Sequence, residues 1–173
     1  HRAFLELELR QLAAALLAMR RLDAQGDAAF PECGGAPDLN GFFIRDDVPA
    51  DFHTNFAGMT RTRSDFIDTP TNKEMSQDQV YHVLMGLALV HALVPDDVTA
   101  RGISLKQEAG EQAERIIRKL DDDNWLIENP ACERDVARGH SATAYSPGTA
   151  AAAAWFTDGA YEPETSDVAK GIW

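Results

Sequence analysis

Leu5, Leu9, Leu12, Leu16 and Met19 recur every three or four residues, with Glu8, Arg10, Arg20 and Arg21 between them. This spacing predicts a helix over 3–24, ended by Gly26. No capping residue precedes it, so the natural polypeptide is expected to extend further upstream. Beyond Gly26 the periodicity disappears. As far as Met75 the chain is rich in Gly, Pro, Asp, Asn and Thr, and only "GFFIRDDV" reads as a short strand. The stretch 26–75 is therefore expected to be a long loop, of a length that usually accompanies function.

"EMSQDQVYHVLMGLALV" restores regular structure. Ser76 and Gln79 form a capping box, in which each side chain accepts from or reaches back to the other residue's amide. The helix then runs to Val94, where Pro95 stops it. Between Val83 and Val94 only His91 breaks the apolar run, so this helix is expected to be buried on all sides, with His91 a satisfied core residue. Ser104 and Gln107 repeat the box and open a helix to Leu120. Its apolar face carries Leu105, Ala109, Ala113, Ile116, Ile117 and Leu120, and Glu111–Arg115 and Glu114–Arg118 pair at i,i+4 on the wet side.

"NWLIENPACERDVARG" predicts a small β-hairpin over about 124–139. Ser146 as N-cap and Pro147 as the first helical residue then start a nearly all-apolar helix, "GTAAAAAWF", with Trp155 expected in the core and Gly159 as the stop. "ETSDVAKGIW" begins one more helix. All-apolar, amphipathic and again all-apolar helices in succession imply two layers, because a plain four-helix bundle would make every helix amphipathic. The fold class is mainly α, as a single domain over 1–173 or a segment of something larger.

Composition narrows the function classes. The chain has 173 residues, 45% of them hydrophobic, and a net charge of -12. It is an acidic protein able to bury a core, and its charge disfavours nucleic acid and anionic membranes as partners. No apolar run reaches the roughly 20 residues of a bilayer span, so no membrane insertion is expected. The opening residues lack the basic start, apolar block and cleavage site of a signal peptide. Cys33 and Cys132 leave a disulfide open, and a secreted or periplasmic setting is weakly favoured. No metal-binding, phosphate-loop or nucleophile-elbow pattern occurs, so no metal or cofactor is expected.

Taken together, "EMSQDQVYHVLMGLALV", "DNWLIENP" and "RGHSATAYSPGTAAAAAWFTDG" resemble bacterial α/α-toroid proteins, the six-hairpin type seen in glycoside hydrolases and polysaccharide lyases. The likeness covers roughly 70–160 and rests on the pattern of segments, without a diagnostic catalytic signature. It implies a partial toroid of helical hairpins in two layers, completed by missing segments or a further chain. It also implies a cleft at one end of the barrel, lined by inner-helix termini and long loops, with an oligosaccharide as ligand.

On that reading Asp78 is the first catalytic candidate. It stands at the second position of its helix, where the macrodipole favours a charged carboxylate, and the plain alternative is helix-terminus electrostatics alone. His82, four residues on and on the same face, is the second, as a proton carrier held by Asp78 or as a structural histidine. Substrate-binding candidates are Gln79, Trp125 and Tyr145, the aromatics as flat faces for a sugar ring. Arg45 and Arg63 join them as holders of a uronate, with Asp47 and His140. Asp46, Asp65 and Asp68 are further loop acids open to the role of a second carboxylate. Turnover, if present, would be glycoside hydrolase-like or polysaccharide lyase-like. The alternative is a non-catalytic structural or assembly protein whose toroid piece docks on another chain.

Overall fold

The computed structural model describes residues 2–29, Pro31, Gly41, 77–127 and 145–172. Within these the protein is mostly helical. Its helices are α1 (Arg2–Ala29), α2 (Gln77–Leu93), α3 (Leu105–Asp122), α4 (Ser146–Phe156) and α5 (Thr165–Ile172). Among the described residues one antiparallel ladder, β1 (Thr99–Ala100) with β2 (Ile103–Ser104), lies between α2 and α3. Ser76, the connection 128–144 with most of the expected hairpin, Cys33, Cys132 and the expected loop other than its described positions at 26–29, 31 and 41 lie outside the described residues.

Helix α3 is the centre of the packing. Leu105, Ala109, Ala113, Ile116, Ile117 and Leu120 are all buried, as their spacing predicts. Each fully buried Leu or Ile contributes about 1.5–3 kcal/mol relative to exposure. Its start follows half of the expected capping box: Ser104 Oγ accepts from the Gln107 amide at 3.4 Å, whereas the Gln107 side chain donates to Glu111 Oε1 at 2.9 Å instead of turning back. Its end is a Schellman motif. The Asn124 amide donates to the Asp121 carbonyl at 3.0 Å and the Trp125 amide to the Leu120 carbonyl, with Asn124 and Trp125 both at positive φ. Trp125 and Leu120 are buried together, and the described start of the expected hairpin, 124–127, is turn and coil rather than strand. A strand signal there loses to helix termination.

The ladder that does form was not anticipated. Two residues, Arg101 at φ 51° and Gly102 at φ 83°, join its strands, the pair of positive φ angles of a type I′ turn. This turn reverses the chain and brings α3 back along α2, the helix it packs against most extensively.

Helices α2 and α4 run parallel. Tyr81, early in α2, stacks on Tyr145, which immediately precedes α4, and ten residues later His91 meets Trp155 and Phe156 at the end of α4. Both helices pack on α3, and α5 packs on α4. The core therefore collects Val80, Leu84 and Leu87 from α2, the apolar face of α3, Ala150 and Ala153 from α4 and Val168 from α5.

Three expectations are corrected here. Helix α2 is not buried on all sides: Met85, Leu89 and Leu93 are exposed along one face. Trp155 is 45% exposed rather than core, because it stands on the side of α4 opposite the buried Thr149, Ala150 and Ala153. Ser146 is the first helical residue, and Tyr145 is the N-cap with no side-chain capping bond. An all-apolar sequence shows which side chains avoid water, but it does not say whether this part of the chain holds enough surface to cover them. The stop after α4 fits its signal, with Asp158 and Gly159 at positive φ and the Gly159 amide donating to the Ala154 carbonyl at 2.8 Å.

Helix α1 continues through Gly26 to Ala29, past the expected stop. Tertiary contact offsets the cost of about 1 kcal/mol for a helical glycine. In its last turns, Asp23 is 4% exposed, and its two carboxylate oxygens accept from the Gly41 amide at 3.1 Å each. Arg115 of α3 faces the same carboxylate, Nε to Oδ2 at 3.7 Å. One turn back, Gln112 Nε2 donates to the Leu16 carbonyl and to Glu108 Oε1, both at 2.8 Å. Arg20 reaches the other Glu108 oxygen at 3.4 Å. A polar seam thus fixes α1 on α3 beside the apolar contacts of Ala13 and Leu16.

Candidate functional site

Because α2 and α4 are parallel, their amino ends lie side by side. The Tyr81 and Tyr145 rings stack there with centroids 5.1 Å apart and planes 5° from parallel. A cleft of about 320 Å³ opens beside them, lined on the α2 side by Tyr81, Leu84 and Met85 and on the α4 side by Tyr145, Gly148 and Thr149, among others. This volume is at the small end of ligand cavities.

Each helix presents its residues by simple register. Tyr81, Leu84 and Ala88 follow one another at three and four residues along α2, so they share the face turned to α4. In α4, Thr149 is one turn from Tyr145 and ties back to it, its Oγ1 donating to the Tyr145 carbonyl at 3.0 Å. Gly148 has open space where a Cβ would stand, which keeps that wall low. Burial pushes the Tyr81 phenol well above its ordinary pKa, so it stays a neutral hydrogen-bonding group.

The expected site residues divide three ways. His82 and Tyr145 come together: His82 is exposed, and its ring meets the Tyr145 ring edge-on at 6.4 Å. Gln79 is half-buried one turn before. Asp78 is the second residue of α2, as its sequence position implies, but its side chain lies outside the described residues. Trp125 is elsewhere. It is 5% exposed and lines a separate recess of about 380 Å³ with Asp121, Asn124, Pro163 and Asp167. Arg45, Asp47, Arg63 and His140, like Asp46, Asp65 and Asp68, lie outside the described residues.

Sequence reasoning missed Tyr81 and Thr149. The available signal was that Tyr81 and Tyr145 both stand at helix starts, yet pairing them required knowing that the two helices are parallel. His91 also departs from expectation. It is half-buried against Trp155 at 5.0 Å and Phe156 at 5.4 Å, and its Nδ1 is buried without a hydrogen-bond partner, so it is not a satisfied core histidine.

Among the described residues no group of three His, Cys, Asp or Glu side chains could hold a metal ion, and no helix is long and apolar enough to cross a membrane. Comparison of the chain with family models, with curated proteins and with solved structures finds no match in any of the three.

Proposed function

We propose that the chain is a segment of an α/α toroid that binds or acts on a carbohydrate, with the ligand in the cleft where α2 and α4 begin. The observation that carries this reading is the parallel pair itself. Two apolar helices run the same way, an amphipathic helix returns behind them, and a cleft with an aromatic stack opens at their common amino end. Tyr145 is 42% exposed while stacked on Tyr81, so part of its ring can meet the apolar face of a sugar. Exposed His82 stands beside it to exchange a proton or a hydrogen bond, and Asp78 is one helical turn before His82.

Calorimetric titration with a panel of neutral and uronate-containing oligosaccharides tests this. Binding should weaken about tenfold or more in Tyr145→Ala, a loss of about 1.4 kcal/mol. Asp78→Asn should abolish any turnover while leaving the melting temperature nearly unchanged. Absence of binding across the panel, or affinity indifferent to Tyr145, removes the proposal. An equal loss of stability in Asp78→Asn returns that residue to helix-terminus electrostatics.

The second reading, an assembly protein without turnover, is favoured by Met85, Leu89 and Leu93, which leave one side of an otherwise apolar helix facing water at 54–75% exposure.

A further inference from the structure

We propose that the inner part of the cleft between α2 and α4 holds an aromatic aglycone, so that the ligand is an aryl glycoside with its sugar at the mouth on Tyr145. The inference rests on the carbohydrate reading and names its ligand class. The two parallel helices line the cleft in step. Tyr81 is stacked on Tyr145 at the mouth. One turn further in, Leu84 and Met85 share the cleft with Gly148, and a turn beyond them Ala88 shares it with Ala152. From Tyr81 to Ala88 the slot is about 10 Å long, room for roughly two linked six-membered rings.

The chemistry changes along this slot. At the mouth stand groups that suit a sugar, the accessible Tyr145 ring with exposed His82 at its edge. Further in, the side chains of Leu84, Ala88 and Ala152 bring only carbon atoms. Among the described residues Thr149 is the polar side chain there, and its hydroxyl proton is already donated to the Tyr145 carbonyl at 3.0 Å. A second sugar ring in this part would strip water from hydroxyls that find few partners, whereas an aromatic ring gives up no hydrogen bond to enter. The small residues favour a flat group: Gly148 leaves open space where a Cβ would stand, and Ala88 and Ala152 end at theirs. Exposed Met85 stands on the rim, with a thioether that adapts to a ring edge and attracts it.

Calorimetric titration with the phenyl and methyl β-glycosides of glucose, galactose, mannose and xylose, and with phenol alone, decides the matter. For a sugar that binds, the phenyl glycoside should bind about tenfold or more tighter than the methyl glycoside. In Ala152→Leu, which fills the inner end, the two should bind alike while far-ultraviolet circular dichroism stays unchanged. Should that variant lose helicity, Gly148→Leu, at a position with open space for its Cβ, carries the same outcomes. Equal affinity for phenyl and methyl glycosides in the parent chain overturns the proposal and leaves the carbohydrate reading standing, as does a phenyl preference that survives Ala152→Leu. Phenol bound as tightly as its glycosides overturns both, since the sugar would then contribute nothing. Failure of every glycoside to bind also overturns the proposal, and the oligosaccharide panel then decides separately whether the carbohydrate reading falls with it.

Discussion

The Tyr81 and Tyr145 rings lie face to face, 5.1 Å apart and 5° from parallel, and so join the first turns of α2 to the residue that starts α4. Tyr81 is 6% exposed and Tyr145 is 42% exposed, so the buried ring supports the accessible one. Replacing Tyr145 by Ala should lower stability by about 0.5–1.5 kcal/mol, the worth of an aromatic pair beyond its area. Tyr81→Ala should cost about 3–5 kcal/mol as a buried large-to-small change. Urea unfolding of both variants checks the ratio, and equal losses would mean that the stack is not seated on one buried partner.

The same tyrosine sets an alkaline limit. Its phenol is neutral when protonated, and burial raises its pKa in the folded chain above the value of about 10 in an unfolded one. Stability from this difference is fully present below about pH 10 and falls as pH rises towards the folded value. Melting temperatures recorded from about pH 8 to 11 should drop less steeply in Tyr81→Phe than in the parent chain. Identical slopes would show that the phenol is not held neutral by the fold.

Gly110 and His91 fit each other closely: a Cβ on Gly110 would stand 3.2 Å from His91 Cδ2 and 3.3 Å from Nε2. The imidazole is bounded by Trp155 and Phe156, which limits its retreat. Gly110→Ala should therefore destabilise by about 1 kcal/mol despite the better helix propensity of alanine. In a His91→Ala background the same substitution should stabilise by a similar amount. A double-mutant cycle measures the coupling, and additive effects would remove it.

At Gly41 the outcome is sharper. Its φ is +85°, and an added Cβ would fall 2.5 Å from the Ile116 backbone nitrogen, where no side chain can yield. Gly41→Ala should cost more than about 2 kcal/mol and release the Asp23 carboxylate from its amide partner. Loss of protection at the backbone amide of position 41 in hydrogen exchange would accompany it. A variant as stable as the parent would contradict this packing.

Half a capping box should behave as half. Ser104→Ala should lower stability by about 1 kcal/mol. Gln107→Ala should lower it by only a few tenths, since that side chain meets exposed Glu111 instead of the cap. Equal losses, measured by thermal unfolding, would point to a closed box in solution.

How much of this was legible depends on what each signal encodes. The apolar stripe of α3 and the Ser104 cap follow from spacing because both interactions are local or concern a single helix face. The exposed side of α2, the outward Trp155 and the continuation of α1 past Gly26 were hidden, since each is decided by what another segment does or does not cover. The candidate site divides similarly. His82 and Tyr145 were chosen separately for their chemistry, but their meeting, and the part played by Tyr81, arise from the parallel course of two helices, which no run of residues announces.

That parallel course also constrains how the protein can vary. A chain entering two neighbouring rods from the same pole must be carried back between them, so the connections ending at Gln77 and at Tyr145 both deliver to the pole that holds the cleft. At the opposite pole the described residues make two tight reversals, Arg101–Gly102 after α2 and Asp158–Gly159 after α4. Because both far-end reversals close within a few residues, changes at the starts of α2 and α4 alter the rim of the cleft without touching the turns that set the course of the two helices.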